Sequence, residues 1–188
     1  WSSDVCSSDL TADIDNAARS IIEGAAFDNN LLCIGEKEVF AVNSIFDQLM
    51  TAVGQNGGFL LNAQQVTQFT SLAFGPPKEP GGHHVLNREF IGKDPTWLAA
   101  QLGVTVPQGT QILYGETDTH NPFVPEEQMM PFVPFVRATC ADHAIDLARE
   151  FEHGFGHTAI IHSQNVRNMT RMGRIMNTTV FVKNGSCM

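Results

Sequence analysis

The sequence predicts an α/β fold with a mostly parallel sheet flanked by helices. Three observations predict it. Runs of β-branched and aromatic residues alternate with segments whose apolar residues recur at helical spacing. The 188 residues are 43% hydrophobic and 16% charged, enough to bury one good core. No internal repeat breaks the chain into smaller units, and the Gly/Pro-rich stretch 75–82 has flanks of similar composition, which makes it a loop rather than a domain boundary.

Residues 1–10 read WSSDVCSSDL, Ser/Asp-rich and without a helical or strand period. The segment resembles the in-frame translation of a sequencing adapter. It is expected to be a non-native or disordered tail, to which Cys6 belongs, and 11–188 to be the domain. Asp13 is a plausible N-cap for a helix whose apolar face is Ile14, Ala17, Ala18, Ile21, Ile22 and Ala25. That helix ends at Asp28-Asn29-Asn30, and a strand follows over Lys37 to Val42. Ser44 to Val53 is a second helix, stopped by Gly54 and the Asn56-Gly57-Gly58 turn, and Asn62 opens a third, with Val66, Phe69 and Leu72 as its apolar face. Pro95 starts a short helix through Leu102, Gln111 to Tyr114 is a strand, and His120 to Glu127 is a turn-rich connector.

Pro131 to Ala138 is a buried strand whose two prolines suggest an edge or irregular position. Ala141 to Glu152 is a helix broken by Gly154-Phe155-Gly156, and Thr158 to His162 the next strand. Asn165 to Met176 is a helix with Val166, Met169, Met172 and Ile175 as an apolar stripe that reads as core. Thr179 to Val182 is the fifth and last strand candidate. No G-x-G-x-x-G follows any of them, so there is no Rossmann dinucleotide fingerprint.

The net charge of -9 argues against a nucleic-acid partner, although local donors could still bind an anionic cofactor. No stretch approaches the roughly 20 apolar residues of a membrane span, and no signal peptide is visible. The four cysteines, Cys6, Cys33, Cys140 and Cys187, show no CxxC pairing and no metal spacing with the histidines, and the chain reads as reduced and cytoplasmic. The pair His83-His84, in a Gly/Pro loop without acidic partners at ligand spacing, reads as no metal site. Cys140 at a helix start reads as a cap or packing residue, and Cys187 as incidental.

Cys33 stands apart. It sits at a helix-to-strand junction, where a sulfur can be held rigid against a cleft. A thiol of ordinary pKa is on the order of 3% thiolate at neutral pH, so a catalytic site must raise that fraction or aim an electrophile at the sulfur. Spacing alone leaves the packing reading open, since Cys is among the most buried residue types.

The segment AAFDNNLLCIGEKEVFAV around Cys33 resembles the nucleophile segment of aldehyde dehydrogenases, in which an Asn lies four residues before the catalytic Cys, as Asn29 does here. More narrowly it resembles the CoA-acylating branch, the propionaldehyde and acetaldehyde dehydrogenases of propanediol and ethanolamine utilisation, which read NNLPCIAEKEV. Leu32 replaces the Pro and Gly35 the Ala. Residues 86–94 look like the family's VNKEFVGKDA, 111–116 like RLLIGEV, 125–131 like EEIFGPV, and 154–162 and 177–185 match the acylating branch closely.

The resemblance implies an aldehyde dehydrogenase catalytic-domain-like fold truncated at both ends. The cofactor-binding part would precede Thr11, and an oligomerisation strand would follow Met188. It implies that Cys33 attacks a short-chain aldehyde, that NAD takes the hydride, and that coenzyme A takes the acyl group. The Cys33 N–H is the candidate oxyanion donor, and Asn29 and Asn30 are turn formers that aim the thiol. Glu127 aligns with the glutamate that bonds the nicotinamide ribose, the alternative being a solvated loop carboxylate. His157 could deprotonate either thiol, the alternative being a histidine that only bonds backbone at a strand start. The whole protein is expected to be a homo-oligomer, with association with a bacterial microcompartment as a family possibility, and the 188 residues alone to turn over little. A non-acylating or phosphorylating relative using the same thiol, or a non-catalytic binding or assembly domain, are the competing readings.

Overall fold

The structure, a computed structural model, describes residues 4–79 and 82–188; Pro80 and Gly81 of the expected loop lie outside the described residues. Nine strands and six α-helices follow in order: β1 (Asp4–Ser8), α1 (Ile14–Ala26), β2 (Glu38–Val42), α2 (Asn43–Gln55), β3 (Gly58–Leu60), α3 (Ala63–Ala73), β4 (Phe74–Gly75), β5 (Val85–Leu86), α4 (Pro95–Gln101), β6 (Ile112–Thr117), β7 (Phe132–Ala138), α5 (Ala141–Phe151), β8 (Thr158–His162), α6 (Val166–Ile175) and β9 (Val180–Lys183). Seven strands form one parallel sheet in the order β3-β6-β7-β2-β1-β8-β9, and β4 and β5 form a small antiparallel hairpin.

The central strands β7, β2, β1 and β8 are buried on both faces and divide their residues between two helical layers. Val39 and Ala41 of β2 face α1 and α2, meeting Ala18, Ile21, Phe46 and Leu49. Phe40 and Val42 face α5 and α6, meeting Ile145, Ala148, Phe151 and Met172. Next to that second layer, α3 and α4 cover β6 and β7 through Phe69, Leu98, Leu113 and Phe132. Burying each such side chain is worth roughly 1.5–3 kcal/mol. Asp13 caps α1 as expected, accepting from the Asn16 N–H; Asn62 forms a reciprocal capping box with Gln65, and Asn165 caps α6 by accepting from the Arg167 N–H.

Six expectations are corrected. Residues 4–8 are not a disordered tail: they form β1, paired in parallel with β2 on one side and β8 on the other, with Cys6 fully buried. A Ser-rich strand is held there because both neighbours supply a ladder. The strand over 132–138 is not at an edge but third in the sheet. Its pairing with β2 begins only at Phe135, so the missing Pro134 amide is not needed on that side. Two apolar-face residues turn outward: Val166 is 71% exposed and leaves its stripe to Met169, Met172 and Ile175, and Leu72 is exposed and leaves the α3 face to Val66, Phe69 and Ala73. Cys140 stands at the N-cap of α5 but is exposed, and its side chain makes no cap bond. Cys187 is not incidental, because its thiol donates to Glu36 Oε2 at 3.0 Å and packs on the core.

Candidate active site

All seven strands are parallel, so the segments leading into them share one edge of the sheet. Cys33 lies five residues ahead of β2, Glu127 five ahead of β7, and His157 immediately ahead of β8. The candidate residues therefore gather at the amino edge.

The chain reaches Cys33 through a left-handed turn, with Asp28, Asn29 and Asn30 at φ 48°, 53° and 60°. Non-glycine residues visit this region singly, and Asn and Asp bear it best. Three in succession store strain that the surroundings must hold. Asn29 Nδ2 donates to Gly92 O at 3.0 Å and Asp94 Oδ1 at 2.9 Å. Asn30, fully buried, donates to Glu36 O at 3.0 Å, and the Lys37 ammonium donates to both Asn30 O at 2.6 Å and Asn30 Oδ1 at 2.7 Å. The turn-forming role expected of both asparagines is borne out. Between these ties, residues 31–35 loop outward. Cys33 is exposed, and among the described residues neither its thiol nor its N–H has a hydrogen-bond partner.

Behind the turn three consecutive charged residues, Glu36, Lys37 and Glu38, are at most 1% exposed. Gly24 makes room for the first: a Cβ there would lie 1.5 Å from Glu36 Oε2. Burial, followed by the nearby Glu36 charge, pushes the Cys6 thiol well up, so Cys6 is an inert neighbour.

Glu127 is half-buried and lines a cavity of about 300 Å³ with Arg88, Ile91, Met129 and His84. Its neighbour Gln128 is buried and donates to Lys37 O at 2.8 Å and Phe123 O at 2.9 Å, which ties this segment to the base of the Cys33 turn. Gly92 N donates to Met129 O at 2.9 Å and closes the ring of contacts. The structure thus brings the Glu127 and Cys33 segments together.

It does not bring His157 onto the Cys33 sulfur by a hydrogen bond. Strand β1 lies between β2 and β8, which sets their backbones about 10 Å apart. His157 Nδ1 pairs with Thr158 Oγ1 at 3.0 Å. Its N–H donates to Glu152 Oε1 at 3.1 Å; the same carboxylate accepts from Gly156 N and, through Oε2, from Gly154 N. Sequence reading missed this cradle, as it missed Lys37, Asn30 and Gln128 acting together. It also missed an acidic partner for the histidine pair, because Glu126 bonds His83 Nδ1 at 3.1 Å and His84 N at 2.8 Å. The one signal available was the charged triplet 36–38 opening an apolar strand.

A whole dinucleotide does not fit the residues present. None of the turns leading from β1, β2, β3, β7 and β8 into the following helix contains a glycine, so no backbone phosphate cradle forms there. The cavity beside Glu127 offers carboxylate acceptors suited to sugar hydroxyls. Among the described residues no group of His, Cys, Asp and Glu could hold a metal ion, and no helix is long and apolar enough to cross a membrane.

No protein-family model matches the chain. It is 40% identical over 179 residues to the acetaldehyde dehydrogenase (acetylating) EutE of Salmonella typhimurium, a match covering 95% of this chain and 38% of that protein. The chain therefore spans well under half the length of the curated relatives it matches. Its fold superposes on the propionaldehyde dehydrogenase of Rhodopseudomonas palustris with bound propionyl-CoA at TM-score 0.90, with 40% identity, covering 99% of this chain and 40% of that one. A second structure of that enzyme carries CoA and an acylated cysteine, at TM-score 0.88 and 40% identity, covering 99% and 41%. A propionaldehyde dehydrogenase from the Clostridium phytofermentans fucose utilisation bacterial microcompartment matches at TM-score 0.91 and 37% identity, covering 99% and 41%.

Proposed function

Starting from a chain that belongs to the CoA-acylating aldehyde dehydrogenases, we propose that residues 4–188 are part of the thiol-bearing catalytic domain of an enzyme converting a short-chain aldehyde and coenzyme A to acyl-CoA. The observation that carries this reading is Cys33, exposed at the tip of a strained, cross-tied turn with its own N–H unengaged.

The Cys33 thiolate adds to the aldehyde carbonyl, giving a thiohemiacetal whose oxygen faces the Cys33 N–H. NAD, bound mainly by parts of the whole protein beyond these residues, supplies the hydride acceptor, and Glu127 is the cofactor-binding residue this chain offers it. Loss of that hydride leaves a thioester on Cys33. The coenzyme A thiol then attacks the thioester carbonyl, the carbonyl–Cys33 bond breaks, and acyl-CoA leaves with the Cys33 thiol restored. Exchange of one thioester for another is nearly balanced, so the acyl group keeps its activation.

His157 is the catalytic base in this reading. It accepts a proton from the incoming thiol rather than from Cys33, because β1 separates it from the Cys33 strand. The acylated cysteine and bound CoA of the Rhodopseudomonas palustris enzyme support the acyl-transfer order. The Clostridium phytofermentans relative supports a place in a bacterial microcompartment.

The test grafts residues 4–188 into the Rhodopseudomonas palustris enzyme in place of the matching segment. NADH formation from propionaldehyde is then followed with and without CoA, beside Cys33→Ala and His157→Ala. NADH that requires CoA and is lost in Cys33→Ala is the expected result. Equal rates without CoA would make water the acceptor, and activity surviving Cys33→Ala would remove the nucleophile. A His157→Ala rate loss that shrinks as pH rises supports the base; an unchanged pH profile removes it.

A further inference from the structure

We propose that Lys37 is a positioning residue for acyl transfer, acting through Asn30 to hold the Cys33 N–H where the tetrahedral oxyanion forms. This rests on the reading of Cys33 as nucleophile and adds a residue to it.

The turn that presents Cys33 runs from Leu31 to Gly35, and its two ends are pinned to each other rather than to a helix or strand. One pin is Asn30 Nδ2 to Glu36 O. The other is the Lys37 ammonium, which reaches back seven residues to Asn30 O and Oδ1 at 2.6 and 2.7 Å. Asn30 O belongs to the peptide that enters the turn, so the ammonium holds the first peptide plane of the loop directly. It also holds a residue at φ 60°, the last of three in the left-handed region. Without that hold, the strain in 28–30 is free to relax into the loop.

Packing alone does not call for an amine at this point. Lys37 is 1% exposed, and a buried ammonium costs several kcal/mol unless it is hydrogen-bonded. A methionine would fill nearly the same space without that cost. What the amine adds is the pair of bonds to Asn30. The rigidity extends outward from there, since Gln128 grips Lys37 O and Phe123 O and so fixes the clamp to the segment carrying Glu127. A donor helps an oxyanion only when it is set within a few tenths of an ångström beforehand. The Cys33 N–H lies at the centre of the loop this clamp closes.

Two reactions of the same sulfur separate this role from a merely structural one. In acyl transfer from propionyl-CoA, the Cys33 thiolate attacks the thioester carbonyl, an oxyanion forms, and the CoA thiolate leaves and takes up a proton. In alkylation by iodoacetamide the sulfur displaces iodide and no oxyanion forms. Both rates are measured by intact-protein mass on the 188-residue chain, with Cys33→Ala as background. Lys37→Met is expected to lower the acylation rate about tenfold and leave alkylation within about twofold. Asn30→Gly tolerates the left-handed backbone and removes the side-chain half of the clamp. It is expected to give a smaller loss of the same selectivity, and it carries the test should Lys37→Met fail to fold. The double variant is expected to be no worse than Lys37→Met. Unchanged acylation in both variants, or acylation and alkylation falling in proportion, overturns the proposal for Lys37 alone. Wild-type acylation no faster than Cys33→Ala takes the nucleophile assignment down with it, a separate and recognisable outcome.

Discussion

At the carboxyl edge of the sheet polar groups are paired with one another, whereas at the amino edge three successive residues take a left-handed backbone and three successive charges are buried. Asp9, Thr11, Ser163, Asn168 and Asn184 knit the carboxyl ends of β1, β8 and β9 together. Burial works against the Asp9 carboxylate, but the bonds from Asn168, Ser163 and Thr11 outweigh it and hold its pKa below the ordinary value. Arg137, near the end of β7, meets Glu116 at 2.7 Å and Asp47 at 2.5 Å. In open parallel sheets ligands usually enter at the carboxyl edge. Here most of the polar groups at that edge are paired, and the exposed thiol with its unengaged amide lies at the other. A site is better located by where structure is held out of its preferred state than by a rule about strand ends.

The comparison can be broken first at Gly24. If the amino edge depends on the buried Glu36 carboxylate, Gly24→Ala drives a methyl into it and costs about 4 kcal/mol or prevents folding. A urea midpoint within error of the wild type would mean the triplet 36–38 can rearrange freely.

Among the described residues the largest flaw at the carboxyl edge is His162, buried with neither ring nitrogen partnered; the Thr117 hydroxyl at the end of β6 is a smaller one. Burial pushes the His162 pKa down to about 4. The unfolded chain, with an ordinary histidine near 6.5, therefore binds the proton first as pH falls. Stability is full above about pH 6.5 and is lost as pH drops toward 4, by about 2–3 kcal/mol at pH 4.5. Urea unfolding of the wild type and His162→Leu across that range checks it, the variant being expected to lack this slope. The lowered Asp9 carboxyl acts in a separate, more acid window: its contribution is present above its ordinary value of 3.8 and fades below it.

The smallest effect is expected at Arg137. Its guanidinium also stacks over Phe46 at 3.9 Å, yet its side chain is a third exposed and solvent screens the pairs. Arg137→Ala should cost about 1 kcal/mol, less at high salt, without altering Cys33 alkylation. A change in that alkylation would show that the two edges are coupled.

Much of this was legible in the sequence. Helices α1, α3 and α6 announce themselves by a cap and an apolar period together, and the Asp28-Asn29-Asn30 cluster marks a turn because those side chains bear positive φ. Cys33 was found by family likeness, not by spacing. What stayed hidden depends on partners far along the chain. Residues 4–8 have no strand pattern of their own and become β1 only because β2 and β8 flank them. Pro134 reads as an edge residue until the register with β2 is known. Lys37 reads as the polar start of a strand, since nothing local says that its amine folds back onto a left-handed asparagine.

That left-handed stretch also bears on chirality. Residues 28–30 trace about one turn of a mirror-image helix, the backbone that D-amino acids adopt without penalty. In a chain assembled by chemical ligation, a D-alanine at position 28 would sit in its own preferred well, where L-alanine is strained. The segment beside the Cys33 thiol is thus a place where the protein's handedness works against its shape.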